Sequence, residues 1–329
     1  MTGQGEASGA TQLMTLRPLC ADDFEAVVRL DRRIMGRSRR GYFEKRLEAA
    51  LRRPAGHIQL AADSGGELSG FVLARVVAGE FGGQDAAVVL EALGVGEAHQ
   101  GRGIGRELLG GLEGVMRRKC VRELVSQAEW TNFSLLRFFA ATGFALAPRQ
   151  IVEHTIDPNA TLRLRSPEPP EPPGGSHDPG LEHDAIPIRG LRAEDYAGIA
   201  RIDRKVSGRD RADYLRRKLE EALQESAIVV SLAAEGDVGI EGFLTARVDF
   251  GGFGQTEPVA VLDTIGVDPA FARRGVGRSL VAQLFMNLSG LRVEKVETQV
   301  AREDFELLGF LYRCGFGPSR ALAFSKDVA

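Results

Sequence analysis

The chain repeats itself once, in register. Gly103 and Gly275 each stand in a GxG, and their separation is 275 − 103 = 172. The same offset aligns Asp31 with Asp203, Gly36 with Gly208, Arg37 with Arg209 and Tyr42 with Tyr214. It goes on to align Gly70 and Phe71 with Gly242 and Phe243, Arg75 with Arg247, and Phe81 and Gly82 with Phe253 and Gly254. Gly94 and Val95 then meet Gly266 and Val267, and Gly143 and Phe144 meet Gly315 and Phe316. No gap is needed over that span, and chance does not hold one register so long. The repeated unit is too long for a solenoid module and has the size of an ordinary domain, so the chain is expected to form two copies of one domain.

Between the copies runs LRLRSPEPPEPPGGSHDPGLEHDAIP, dominated by proline, glycine and acidic residues. Such a segment holds too little apolar surface to offset its ordering entropy. The expected division is a disordered tail over 1–12, a first domain over 13–158, an extended linker over 159–186 and a second domain over 187–329. A linker of this kind predicts that each half folds by itself.

Within the first half, apolar residues at helical spacing predict helices over Ala21–Asp31 and Tyr42–Leu51. Strands follow over His57–Ala62, Leu68–Val77 and Ala86–Val95, the last too apolar to have one face in water. A glycine turn leads into a helix over Arg106–Arg118, then a strand over Glu123–Ala128 and a helix over Asn132–Ala141. Phe144–Thr155 is expected to return as a strand pair. The second half repeats this order. Each unit reads as a mixed α/β domain, a central sheet flanked by helices.

The net charge is only −3, so no global field selects nucleic acid or an anionic membrane. Cys20, Cys120 and Cys314 are isolated and odd in number, which argues against a disulfide framework or a cysteine zinc site. The five histidines show no metal spacing, so no metal is expected. A reducing cytosol is the simplest setting. The first ten residues lack the basic and apolar regions of a secretory signal. No apolar run approaches the ~20 residues of a membrane helix.

The turn Gly101-Arg102-Gly103-Ile104-Gly105 carries the chemistry. Glycines let backbone approach an anion closely, and the helix that follows offers unpaired N–H groups and a positive dipole end. Arg102 and Arg106 add charge. A plain strand-to-helix turn is the alternative. A dinucleotide fingerprint would need glycine at position 106, which is Arg106, and no GK[ST] follows for a Walker motif.

Gln100-Gly101-Arg102-Gly103-Ile104-Gly105 resembles the acyl-CoA signature [QR]-x-x-G-x-[GA] of the GNAT family of N-acetyltransferases. Leu93-Gly94-Val95 resembles that family's splayed fourth strand, and the segment from Asn132 to Gly143 its following helix. The second half offers Ile265 and Val267 on the strand, then Ala272, Arg273, Arg274, Gly275, Gly277 and Arg278. Ala272 departs from the signature's first position. The resemblance implies acetyl-CoA as co-substrate, with pyrophosphate on the glycine turn and pantetheine along Leu93 and Val95. It implies transfer to a primary amine, on a small molecule or a protein, by direct attack.

The same resemblance implies a base near Glu91, with Asp263 its equivalent (91 + 172 = 263). Either acid also reads as a buried partner of Arg75 or Arg247. The family's acid tyrosine falls at Phe139 and Leu311, neither of which gives a proton. Tyr312, one position on, reads either as a substitute acid or as core. The resemblance sets Asp31, Arg37 and Tyr42, with their matches Asp203, Arg209 and Tyr214, at the border of the acceptor pocket, but a helix cap and a solvated face is the preferred reading. An acyl-CoA-binding regulatory module without catalysis is the rival function. The molecule is expected to be a monomeric pseudo-dimer or a homodimer.

Overall fold

The computed structural model describes residues 14–78, 86–157, 186–224, 230–237, 239–250, 253 and 257–329. The expected tail, the turn at 79–83 and all but the last residue of the expected linker lie outside these.

The first half runs β1 (Met14–Pro18), α1 (Phe24–Met35), α2 (Arg40–Arg52), β2 (His57–Ser64), β3 (Glu67–Ala78), β4 (Ala86–Val95), α3 (Ile104–Arg118), β5 (Glu123–Glu129), α4 (Phe133–Ala141), β6 (Ala145–Leu146) and β7 (Arg149–Thr155). The second half runs β8 (Ile188–Gly190), α5 (Tyr196–Ser207), α6 (Ala212–Gln224), β9 (Leu232–Gly236), β10 (Gly239–Phe250), β11 (Pro258–Val267), α7 (Val276–Gly290), β12 (Lys295–Ala301), α8 (Phe305–Arg313), β13 (Gly317–Pro318) and β14 (Ala321–Asp327). Mixed α/β architecture and the repeated element order are as the sequence implies. The short β1 escaped sequence reading because its five residues carry no clear alternation.

Helices cover both faces of each sheet. On one face of the first, Leu108, Leu109, Leu112 and Met116 of α3 bury against Val72, Ala74, Val88 and Leu90. On the other, Val27, Val28 and Leu30 of α1 and Tyr42 and Phe43 of α2 bury against Phe71 and Leu73. Alternate residues of β3 thus serve opposite faces, as the period-2 geometry of a strand requires. Asp31 sits within the second packing layer and is ion-paired to Arg39, with both side chains nearly fully buried. Asp203 and Arg211 repeat the pair. The solvated-face reading therefore fails for Asp31 and Tyr42, and holds for Arg37, whose side chain is 70% exposed. Helical spacing alone did not show that Asp31 lies on the apolar stripe with Val27, Val28 and Leu30.

One seven-stranded sheet has the order β1-β2-β3-β4-β5-β14-β6, and the other β13-β7-β12-β11-β10-β9-β8. The halves have exchanged their last strands. β7 pairs antiparallel with β12, from Arg149↔Ala301 to Thr155↔Lys295. Its repeat counterpart β14 pairs antiparallel with β5, from Ala321↔Glu129 to Asp327↔Glu123. The expected pair within Phe144–Thr155 does not form: β6 flanks β14 and β7 lies in the other sheet. Ala147 and Ile151 pack against Ala321 and Ala323 where the two halves cross. β7 and β14 occupy equivalent places in the repeat although RQIVEHT and ALAFSKD share no residue, and nothing local in either strand says which sheet it joins. The prediction that each half folds by itself does not fit sheets that each need a strand from the other.

Candidate active site

A β-bulge selects the residue at the centre of each half. Between β3 and β4 the register passes from Leu73↔Ala92 to Ala74↔Leu90, leaving Glu91 as the extra residue. Between β10 and β11 it passes from Thr245↔Thr264 to Ala246↔Leu262, leaving Asp263. Such a bulge re-aims a side chain relative to the regular pleat. Glu91 Oε1 receives Arg75 Nε at 2.8 Å and Arg46 Nη2 at 2.9 Å, with its side chain only 4% exposed. Asp263 is paired with Arg247, and Lys218 Nζ stands 3.7 Å away. Arg46 and Lys218 are repeat equivalents (46 + 172 = 218), as are Arg75 and Arg247. Each half thus builds the same triad: an acid, a strand arginine and a helix cation. Sequence reasoning named Arg75 and Arg247 and missed Arg46 and Lys218, although the offset aligns them.

The triads are joined across the halves. Arg46 Nη2 lies 3.5 Å from Asp249 Oδ1 of the second half, and Arg247 Nε lies 3.2 Å from Asp249 Oδ2. Burial alone raises a carboxyl, but Arg247, Arg46 and Arg75 outweigh it and hold Asp249 down to about 2. Burial likewise opposes the Arg46 charge, yet Glu91, Tyr42 and Asp249 hold that guanidinium above its ordinary value. The Tyr42 phenol is pushed up, first by burial and then by Glu91.

Beyond the acids the sheet opens. β4 and β5 run parallel for three rungs, ending at Val89↔Val125. β11 and β12 keep two, ending at Val261↔Glu297. Past those rungs Ser126 Oγ donates to the Leu90 carbonyl at 3.0 Å, and Thr298 Oγ1 to that of Leu262 at 2.7 Å. The strands then diverge, with Leu93, Val95, Ile265 and Val267 half-buried along the open edges.

Each open strand leads to the glycine turn. Gly101 and Gly103 have φ of 74° and 85°, and nothing lies within 4 Å of where a Cβ would stand on either. Left-handed backbone and open space are what close approach to an anion requires. Gly103 is also the N-cap of α3, so the first N–H groups of that helix have no partner within it. Gly105 serves differently: a Cβ there would meet the Phe138 ring at 3.2 Å, so this glycine lets α4 pack on α3. Gly277 does the same beneath Phe310. In the second half Gly275 keeps φ at 89°, while Arg273 takes Gly101's place at φ 64°, a conformation that costs a side-chain-bearing residue roughly 1 kcal/mol.

The surrounding residues divide by engagement. Gln100 Nε2 folds back to the Val95 carbonyl at 3.1 Å, a contact Ala272 lacks the atoms to make. Arg106 Nη2 holds the Ala141 carbonyl at 3.2 Å. Asn132 Oδ1 caps α4 by accepting from Leu135 N at 3.2 Å. Arg102, Arg273 and Arg278 are exposed, and the exposed Arg274 lies over the Phe271 ring at 5.4 Å. Phe139 and Leu311 are core residues, 2% and 1% exposed. Tyr312 is 42% exposed, and its hydroxyl accepts from Gln150 Nε2 at 3.0 Å. Gln150 belongs to β7, on the far side of β12 from β11, so Tyr312 is drawn away from the open edge. Among the described residues no helix is long and apolar enough to cross a membrane.

The model of the acetyltransferase (GNAT) family matches residues 24–144 and 195–316. No curated protein sequence matches the chain. Among solved structures the chain resembles a GCN5-related N-acetyltransferase from Sphaerobacter thermophilus, at 18% identity and a TM-score of 0.59, covering 96% of each chain. It also resembles a tandem GNAT protein from the clavulanic acid biosynthesis pathway, at 17% identity and a TM-score of 0.63, covering 96% of this chain and 99% of that one. A putative acetyltransferase from Pyrococcus horikoshii follows at 17% identity and 0.54, covering 99% and 93%. At these identities the likeness is one of fold.

Proposed function

Because the chain belongs to the acetyltransferase (GNAT) family, we propose that it is an acetyl-CoA-dependent N-acetyltransferase acting on a primary amine by direct attack. The observation that carries the reading is the twice-built arrangement of splayed parallel strands leading into a left-handed glycine turn and a helix N-terminus.

The first-half turn fits a phosphate group, since a Cβ on Gly101 or Gly103 would project into open space. Backbone N–H groups of the turn and the start of α3 hold the pyrophosphate, and Arg102 adds charge. Edges of β4 beyond Val89 supply amide groups to pantetheine. Acetyl-CoA, when bound, brings an acyl carbon activated as a thioester. A free amine has a pKa of about 10, so the acceptor must lose a proton before its lone pair attacks. Glu91, at the bulge beside the open edge, takes that proton directly or through one water. The C–N bond forms, the nitrogen gives up its second proton to solvent as the tetrahedral adduct collapses, the C–S bond breaks, and the thiolate leaves with a proton from solvent. The first half is the active lobe in this reading, because Ala272 and Arg273 impair the second turn.

A second reading has specific support. Phe139 and Leu311 lie in the core, Tyr312 is turned away, and both acids are held in ion pairs. These features suit a module that binds acyl-CoA without transfer. Acetyl-CoA turnover over an amine panel, followed by thiol release, decides: release that depends on the amine supports transfer, and CoA binding with no release supports the module.

A further inference from the structure

Gly96 and Asp268 hold the same place in the repeat (96 + 172 = 268). Their backbones agree, with φ and ψ of −56° and 140° against −57° and 128°. Gly96 N donates to the Ser69 carbonyl at 2.9 Å, and Asp268 N to that of Glu241, the repeat equivalent of Ser69, at 2.8 Å. Only the side chains differ. In the second half Asp268, 3% exposed, neutralises two cations of α5: Lys205 Nζ stands 2.8 Å and Arg201 Nε 3.8 Å from its Oδ2. In the first half α1 keeps both cations, as Arg33 (33 + 172 = 205) and Arg29 (29 + 172 = 201), but the strand end brings them no acid. Both arginines are exposed, and among the described residues neither is hydrogen-bonded or ion-paired to a carboxylate. Glu25, whose carboxyl feels the Arg29 charge, is hydrogen-bonded to Arg40 instead.

Packing does not call for glycine at 96. Its φ suits any residue, and a Cβ there would come no closer than 3.6 Å to its neighbours. The space left by the missing carboxylate lies on the Glu91 side of the sheet. Leu93 and Val95 turn toward α3, whereas Ala92 packs under α1. A Cβ on Gly94 would meet Ile34 of α1, and one on Gly96 would meet Leu30. The glycine turn feeds the opposite layer, through α3. Five residues of strand separate Gly96 from Glu91, roughly 15 Å.

Resting on the acyltransferase reading above, we propose that Arg29 and Arg33 take from a ligand the carboxylate or phosphate that Asp268 supplies internally in the second half. Guanidinium forks suit either group. Because the space lies on the face of β4 that Glu91 serves, the anion belongs to the acceptor. The acceptor of the first lobe is then an amine whose acidic group stands roughly 15 Å from the reacting nitrogen. The second lobe, neutralised by its own Asp268, has no such selectivity.

The test is the melting temperature of the full chain titrated with inorganic phosphate, with and without saturating CoA to fill the glycine turns. Sodium chloride at matched ionic strength is the control. Phosphate should raise the melting temperature of the parent in the presence of CoA. The apparent phosphate affinity should fall at least about tenfold when Arg29→Gln and Arg33→Gln are combined. Gly96→Asp, which installs the second half's residue, should melt above the parent without phosphate and gain nothing further from it. A Gly96→Asp variant that melts no higher and keeps the full response would show that the two arginines do not converge there, and would overturn the site. So would a response that chloride reproduces. A response that CoA abolishes, with CoA affinity itself weakened in the double arginine variant, would move the anion from the acceptor to CoA and overturn the acceptor assignment. The expected phosphate pattern without amine-dependent thiol release would support this site while the acyltransferase reading fails. Thiol release without the pattern would keep that reading and sink the site.

Discussion

Arg46 of the first half stands 2.9 Å from Glu91 of its own half and 3.5 Å from Asp249 of the other. One guanidinium thereby ties the bulge acid of one lobe to the far lobe. Charge and strand exchange act together: the halves share sheets at one place and an ion-pair cluster at another. The molecule is a covalent pseudo-dimer whose sites are not built by each half in isolation.

The exchange of β7 and β14 sets the outcome of cutting the chain. Protease cleavage between 159 and 185 should leave two fragments that co-elute at the mass of the intact protein, because each carries a strand of the other's sheet. Separation should require denaturant. Gel filtration after limited proteolysis checks this, and fragments that part and stay folded would mean the strands return to their own halves.

Asp31 and Arg39 form a pair with side chains 3% and 4% exposed. Asp31→Asn leaves the guanidinium buried without its counter-charge. The expected cost is about 3–5 kcal/mol. Urea unfolding measures it, and a loss under 1 kcal/mol would mean the arginine finds another partner or solvent.

Acid stability should carry a signature of Asp249. Its carboxyl is held down to about 2, against 3.8 ordinarily. A depressed acid stabilises the fold fully above its unfolded pKa and loses that contribution as pH falls through the folded one. The contribution is roughly 2 kcal/mol. The stability gap between wild type and Asp249→Asn should therefore be widest above about pH 4 and close toward about pH 2. A gap independent of pH across that window would remove the carboxylate from the account.

Much of this was legible in sequence, for identifiable reasons. The 172-residue offset fixed the two copies, and the period of apolar residues placed most helices and strands within a few positions. The turn at Gly101 and Gly103 was legible because glycine alone takes φ near +80° freely. Arg273 shows the limit, since it adopts the same region with a side chain. The partner strand of β7 was not legible, because nothing local in β7 or β14 says which sheet either joins. Nor was the burial of Asp31, which depends on which helix face meets β3. Glu91 stood out as an acid in an apolar strand, but its second partner, Arg46, comes from a helix distant in sequence.

The turn assignment is open to a direct test. Gly103→Val puts a branched side chain at φ 85°, into space a phosphate would occupy. Calorimetry on the full chain should show CoA affinity at the first lobe down at least about tenfold, with Gly275→Val in the background to silence the second. Melting curves report the strain separately. Unchanged affinity in a folded variant would remove the phosphate from this turn.

Glu91→Gln separates chemistry from architecture. The amide keeps the shape of the acid but leaves Arg75 and Arg46 without its charge. Stability should fall by about 3–5 kcal/mol whether or not Glu91 takes a proton. Rate should distinguish the roles. As a general base, Glu91 contributes about 10²–10⁴-fold, so turnover per folded molecule should fall by that factor with Gly275→Val silencing the second lobe. CoA affinity should stay near that of the parent, since the carboxylate does not reach the phosphate turn. A variant that is less stable yet turns over at nearly the parental rate would make Glu91 the anchor of Arg46 and Arg75 alone, with bulk water taking the proton.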